Sequence, residues 1–511
     1  MNMANCIMMQ GTSSHVGKSI LVTALCRILY QDGVHVVPFK AQNMALNSYV
    51  TRDGKEMGRA QVAQAEAAGL EPMVEMNPVL LKPTGNSSSQ IVLMGKHVGN
   101  MSAKDYHKGY SVKLFGHVQE ALAKLQSEYD TIVIEGAGSP AEVNLHDNDI
   151  VNMRVAKYLN APVLLIADID RGGALASLVG TLELLEPEER ALVKGLIINK
   201  FRGDVTLLQP AVDFLEKKTG IPVLGIIPHL DNLGIDDEDS VSLDDKLGEE
   251  KAQADLHIAV IRTPKISNFT DFDAIASEKD VSVHYVTDVE NFGTPDLIML
   301  PGSKNTTEDM NWLRSSGLED KIREAVEAGT PLIGICGGYQ MLGKEIRDPH
   351  HTESNLNGTK GLGFLDMATT FSENKLTSQV IADCKNWNFM GTKISTTELH
   401  GYEIHMGETE FFGSEDTHPL TITERRTEKC SVEEGTARAD GMVFGTYIHG
   451  VFDHDEFRRA VLNVLRVKKG LEPLENTRSV FAEKQQAYDR LAATVRANLN
   501  MDKVREMLAA Q

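Results

Sequence analysis

The sequence predicts two successive α/β domains, each built on a mainly parallel sheet. Three observations predict it. Up to about residue 230, short β-branched apolar runs alternate with stretches of helical period, the pattern of a parallel α/β sheet. A second set of the same kind starts at residue 256. Between the two, residues 231–255 hold ten acidic residues against two lysines, with glycines at 234 and 248, and read as a solvated connection.

In the first set the strand candidates are 6–9, 34–37, 131–134, 162–167, 195–198 and 223–227, mostly closed by Gly or polar turn residues. Leu21, Leu25, Ile28 and Leu29 mark the helix after the first strand. The second set contributes 256–261, 281–286, 297–300, 332–335 and 442–448. Tyr488, Leu491, Val495 and Leu499 recur at helical spacing in the tail, which is expected to pack on the second domain. The expected division is therefore 1–230, a linker at 231–255, and 256–511 with C-terminal helices. A chain of 511 residues is long enough for two or three cores.

Composition excludes several roles. A net charge of −21 argues against a general nucleic-acid surface. No apolar run reaches bilayer length, and no leader pattern opens the chain. The five scattered cysteines have no metal-type spacing and suit reduced thiols in a cytoplasm. Oligomeric state is not legible.

Gly11-Thr12-Ser13-Ser14-His15-Val16-Gly17-Lys18-Ser19 follows the first strand and opens the first helix, the context a phosphate-binding loop requires. Glycines let backbone amides turn toward phosphate oxygens, and the helix N-terminus adds partial positive charge. Lys18 is placed to reach the β- and γ-phosphates, and the Ser19 hydroxyl to ligate Mg²⁺. Five residues separate Gly11 from Gly17, one more than the common pattern. Glu135, ending the strand 131–134 ahead of Gly136-Ala137-Gly138, is a second candidate Mg²⁺ ligand.

Pro331-Leu332-Ile333-Gly334-Ile335-Cys336-Gly337-Gly338-Tyr339-Gln340 runs an apolar strand into Gly-x-Cys-x-Gly and then a helical pattern. This is the cysteine form of a nucleophile elbow, and the helix N-terminus favours the thiolate. Of sixteen histidines, His449 in Gly445-Thr446-Tyr447-Ile448-His449-Gly450 is the candidate base, with His405 its competitor. Pro301-Gly302-Ser303 offers a tight turn whose amides, with that of Gly337, can form an oxyanion hole.

The long phosphate loop resembles that of the dethiobiotin synthetase-like ATPases. The resemblance implies that Lys40, in Pro38-Phe39-Lys40, faces the transferred phosphoryl group and that Asn199, in Asn199-Lys200, contacts the base. The cysteine elbow resembles the class I glutamine amidotransferases. In that class an acid commonly stands two positions after the histidine; here it is Val451, so only a Cys–His pair is named. The fold expectation is thus a P-loop NTPase-like domain followed by an α/β class I glutamine amidotransferase domain.

Together the halves resemble the cobyrinate amidases of corrin biosynthesis, through residues 38–44, 135–142, 168–173, 267–273 and 401–405. The resemblance implies a ligase taking ATP, Mg²⁺ and glutamine as ammonia donor, with a corrin as small-molecule partner. Phe39-Lys40-Ala41-Gln42-Asn43-Met44 favours the branch amidating the b, d, e and g carboxylates over its sister acting on a and c. A regulatory phosphate-loop ATPase with a glutamine-sensing domain is the alternative from another class.

Overall fold

The computed structural model describes residues 4–84, 88–230, 233–235, 251, 253–413, 415–476 and 478–511. Most of the expected acidic linker lies outside the described residues. The chain divides into two compact units. The first comprises Met1–Ala45, Met57–Ile235 and Phe481–Gln511; the second comprises Leu46–Glu56 and Asp236–Val480.

The first unit holds the strands β1 (Asn5–Gly11), β2 (Val36–Phe39), β3 (Thr131–Glu135), β4 (Val163–Asp168), β5 (Val193–Phe201) and β6 (Val223–Pro228). They form one parallel sheet in the order β6-β5-β4-β1-β3-β2. Their continuous apolar runs are buried on both faces, as a parallel sheet covered by helices requires. Because β1 is central, its C-terminal end lies between the ends of β3 and β4, where a ligand-binding crevice forms in such sheets. The helix Lys18–Gln31 starts there and buries Leu21, Leu25, Ile28 and Leu29, as their spacing predicts.

Two boundaries differ from expectation. The terminal helices Val480–Asn498 and Met501–Ala509 pack on the first unit, not the second. Leu491, Val495, Leu499, Val504 and Leu508 join the core of Ile7, Leu164 and Ile197, and Gln511 brackets the backbone of Cys6 at 2.8 and 2.5 Å. Helical period reveals that one face is apolar but not which sheet it covers. Conversely, Leu46–Glu56, expected in the first domain, belongs to the second unit. There Val50 packs with Tyr402 and Ile404, and its carbonyl accepts from Gln379 Nε2 at 2.6 Å.

The second unit contains β7 (Leu256–Ile261), β8 (Val281–Val286), β9 (Leu297–Leu300), β10 (Leu332–Ile335), β11 (Met367–Phe389), β12 (Thr392–Phe411) and β13 (Val443–Thr446). Parallel strands run β8-β7-β9-β10-β13, and Thr436–Ala437 adds an antiparallel edge. The long antiparallel hairpin β11–β12 was not expected from sequence. Its strands mix Thr, Glu, Lys and Asn with apolar residues and carry no clean alternation.

The second unit also buries an ion cluster. Arg458, fully buried, donates to Glu278 at 2.8 Å. Arg459 bridges Glu278 at 2.5 Å and Asp280 at 3.0 Å, and Arg466 reaches Asp280 at 3.0 Å. Removing one partner strands a buried charge. Glu278→Ala is therefore expected to lower unfolding free energy by about 3–5 kcal/mol, measured by urea denaturation.

Candidate active sites

At the end of β1 the chain turns through residues 11–19 into its first helix. Gly17 adopts φ 95°, and a Cβ there would strike the Asn199 amide. A Cβ at Gly11 would meet Val16 Cγ2 at 2.5 Å and Lys18 Nζ at 2.9 Å. Both positions therefore require glycine for close approach. Lys18 Nζ donates to the carbonyls of Ser13 at 2.9 Å and Gly138 at 3.2 Å, so the ammonium lies folded over the loop.

Glu135, ending β3, gathers the other candidates. Its Oε1 accepts from Ser19 Oγ at 2.9 Å and from Lys40 Nζ at 2.8 Å, and its Oε2 from Gln64 Nε2 at 2.5 Å. The carboxylate is 1% exposed, which makes these partners necessary to an ionised group. Ser19 and Lys40 thus meet on Glu135; Gln64 escaped notice because it sits mid-helix without a motif. Ser19 and Glu135 offer hard oxygen donors that fit Mg²⁺.

Two residues expected at the nucleotide also brace the fold. The Thr12 N–H donates to Ile166 O at 2.9 Å and extends the sheet. Asn199 Nδ2 donates to Val16 O at 2.7 Å, bracing the loop from β5. Lys200 assists, donating to His15 O at 2.7 Å while paired with Asp168 at 2.9 Å.

In the second unit β10 delivers Cys336 at φ 52°, ψ −106°, a conformation outside the ordinary regions for an L-residue. The surrounding glycines permit it. A Cβ at Gly334 would meet Gly338 O at 2.6 Å, one at Gly337 would meet Ser303 N at 2.7 Å, and one at Gly338 would overlap Leu300 O. The turn after β9 and the head of the helix Gly337–Leu342 are thereby pressed together, bringing Gly302, Ser303 and Gly337 beside the cysteine. The Ser303 hydroxyl is committed to Asp309 at 2.6 Å.

His449 follows β13 and is fully buried. Its backbone exchanges hydrogen bonds with Tyr402 of β12 at 3.2 and 2.9 Å, and its ring stacks on Tyr402 at 5.1 Å. Asp271, absent from the expected pair, supplies the orienting acid. Its Oδ2 lies 2.7 Å from Nδ1, and its Oδ1 accepts from Gly450 N at 2.8 Å. Burial alone would lower the His449 pKa, but Asp271 and Cys336 outweigh it and hold the imidazole at about 10.

His405, the competitor, stacks on Tyr447 at 3.8 Å with Nδ1 against Gly407 O at 2.9 Å. Burial pushes it down to about 4, and its ring has the carbonyl of Gly407 where His449 has a carboxylate. Val451 is buried apolar packing. The nearby Glu434 caps β13 instead, accepting from Thr446 Oγ1 at 2.7 Å and Tyr447 N at 2.6 Å.

A Cys–His–Asp array after a strained strand-to-helix turn, and a phosphate loop in the other unit, match two known domain families. Residues 7–242 match the CobQ/CobB/MinD/ParA nucleotide binding domain, and residues 257–457 the CobB/CobQ-like glutamine amidotransferase domain. The chain is 53% identical to the cobyric acid synthase of Pelotomaculum thermopropionicum, covering 99% of this chain and 97% of that one. It is 52% identical to that of Moorella thermoacetica, covering 100% and 98%. The chain belongs to the cobyric acid synthase family. Membership makes it a glutamine-dependent ligase and favours neither the a,c-directed sister nor a switch ATPase. Among the described residues, no helix is long and apolar enough to cross a membrane.

Proposed function

We propose that this chain converts the b, d, e and g carboxylates of an adenosylcobyrinic acid a,c-diamide to amides, using one ATP and one glutamine for each. The observation that carries the reading is the coexistence in one chain of the Cys336–His449–Asp271 array and the Ser19–Glu135–Lys40 cluster. Five free thiols support a reducing cytoplasm as its location.

A carboxylate is a poor electrophile at neutral pH. In the first unit a corrin carboxylate oxygen attacks the γ-phosphorus of ATP, the bond to the bridging oxygen breaks, and ADP leaves an acyl phosphate. Lys18 and Lys40 offset the charge that develops on the transferred group. Ser19 and Glu135 would hold Mg²⁺, which supplies further neutralisation of the phosphates. In the second unit Cys336 Sγ attacks the side-chain carbonyl of glutamine, with its proton passing to His449. The oxyanion meets amides of the Gly302-Ser303 turn and of Gly337. His449 then protonates the departing nitrogen, and water hydrolyses the thioester to glutamate. Ammonia displaces phosphate from the acyl phosphate to give the amide.

Lys18→Ala tests the first half. It is expected to abolish amide formation from either glutamine or free ammonia, by on the order of 10³-fold, while leaving Cys336-dependent glutamine hydrolysis in place. Product mass on a corrin a,c-diamide and glutamate release are the two measurements.

A further inference from the structure

Asn268 lies beside the catalytic imidazole. Its Nδ2 is 3.4 Å from His449 Nε2, and its Oδ1 accepts from the Ser48 backbone N–H at 3.0 Å. The second contact decides which way the amide points, since only the oxygen can accept from Ser48. Ser48 opens the short strand Ser48–Val50, in the segment that the second unit takes from the N-terminal sequence. Asn47 Oδ1 accepts from Phe269 N at 3.3 Å, fixing the residue after Asn268 from the same segment. Asn268 itself is held at φ 54°, ψ 39°, a left-handed conformation that Asn tolerates better than most side chains.

We propose that Asn268 is a positioning residue for His449: oriented by Ser48, it turns an N–H toward Nε2, so that Nε2, once it has taken the Cys336 proton, holds that proton less tightly. The two ring nitrogens are then fixed from opposite sides. Asp271 accepts from Nδ1–H, and Asn268 Nδ2 faces Nε2 at 3.4 Å. In the step that follows, the S–H bond of Cys336 breaks, its electron pair stays on sulfur, and an Nε2–H bond forms. The new Nε2–H confronts the Asn268 N–H, so the imidazolium is disfavoured locally and yields its proton readily to the departing nitrogen of glutamine.

The other groups facing the ring pull in known directions. Asp271 and Cys336 favour its protonated form, and His405 of β12 is itself lowered in part by the charge on His449. Tyr402 covers one face by stacking. Asp453 lies beyond Gly450, 3.5 Å from where a Cβ there would stand. Asn268 is thus the neutral group set against Asp271 and Cys336, which favour the protonated ring.

This inference rests on Cys336 being the nucleophile of glutamine hydrolysis. The test is the pH profile of kcat/KM for glutamine hydrolysis by the full chain carrying Asn268→Asp or Asn268→Gly, both of which tolerate the left-handed backbone. Asn268→Asp presents an acceptor to Nε2 and is expected to move the profile upward by roughly one unit or more. Asn268→Gly removes the donor and moves it the same way by less. Ser48→Pro deletes the orienting N–H at the first position of a strand, where proline is tolerated, and shifts the profile upward; Ser48→Ala keeps that N–H and does not. Profiles unmoved in the Asn268 variants and in Ser48→Pro, whatever the loss of rate, overturn the proposal. Retained hydrolysis in Cys336→Ser overturns the underlying reading instead, so the two failures are distinguishable.

Discussion

Cys336→Ser abolishes glutamine hydrolysis and glutamine-dependent amide formation, while amide formation from free ammonia continues. The expected loss is at least 10³-fold, on the order of removing a nucleophile whose work no neighbour can assume. Serine at this position keeps the elbow, because its size suits the φ 52° turn that Gly334, Gly337 and Gly338 make room for. It lacks a thiol that His449 can deprotonate at neutral pH. The ammonia-dependent reaction is expected to survive because Lys18, Ser19, Lys40 and Glu135, the residues proposed for phosphoryl transfer, belong to the other unit. Glutamate release and corrin product mass, with glutamine or ammonium salt as donor, measure the two activities separately.

Asp271→Asn produces a comparable loss without removing any reacting atom. The carboxylate accepts from His449 Nδ1 at 2.7 Å and from Gly450 N at 2.8 Å, so it sets both the tautomer and the attitude of the ring. An amide can present its NH₂ to Nδ1, which forces the proton to Nε2, where it blocks acceptance from Cys336. The corresponding change in a serine protease triad costs about 10⁴-fold, and a loss of about 10³–10⁴-fold in kcat for glutamine hydrolysis is expected here. Because Asp271 and Cys336 together hold His449 up at about 10, neutralising Asp271 also lowers the imidazole pKa. The alkaline limb of the hydrolysis profile is therefore expected to move to lower pH in Asp271→Asn. A variant with reduced rate and an unchanged alkaline limb would mean that Asp271 merely packs against the ring.

What was legible in the sequence is what is local in the chain. The Gly-x-Cys-x-Gly elbow needs only neighbouring residues to curl the backbone, and the phosphate loop likewise lies between one strand and one helix. The meeting of Ser19 with Glu135 could be expected because strands that end in loops share one edge of a parallel sheet. Asp271 was not legible as an orienting acid, because it comes from a turn 178 positions from His449 and its motif carries no signature of that role. Asn268 is hidden for the same reason.

The tail and residues 46–56 fall in the other unit for a different physical reason. Apolar periodicity states that a segment must be buried but not against what. Tyr488, Leu491 and Val495 therefore announced a packing helix correctly, while the first unit, not the adjacent second one, receives it. Val50 is buried with Tyr402 and Ile404 through pairings that span more than three hundred residues, such as Gln379 to Val50. Thr12 shows the reverse limit: it stands within a phosphate-loop motif, but its amide donates to Ile166 in the sheet.

The most direct test of the central claim, that one chain joins glutamine-derived nitrogen to ATP-activated carboxylates, follows the nitrogen itself. The wild-type chain is supplied with ATP, Mg²⁺, a corrin a,c-diamide and glutamine labelled with heavy nitrogen in its side-chain amide, and the product is read by mass spectrometry. The account predicts four new amides, each carrying the label, and no labelled product when ATP is withheld. Unlabelled amides, amidation without ATP, or glutamine left intact while amides form would contradict it.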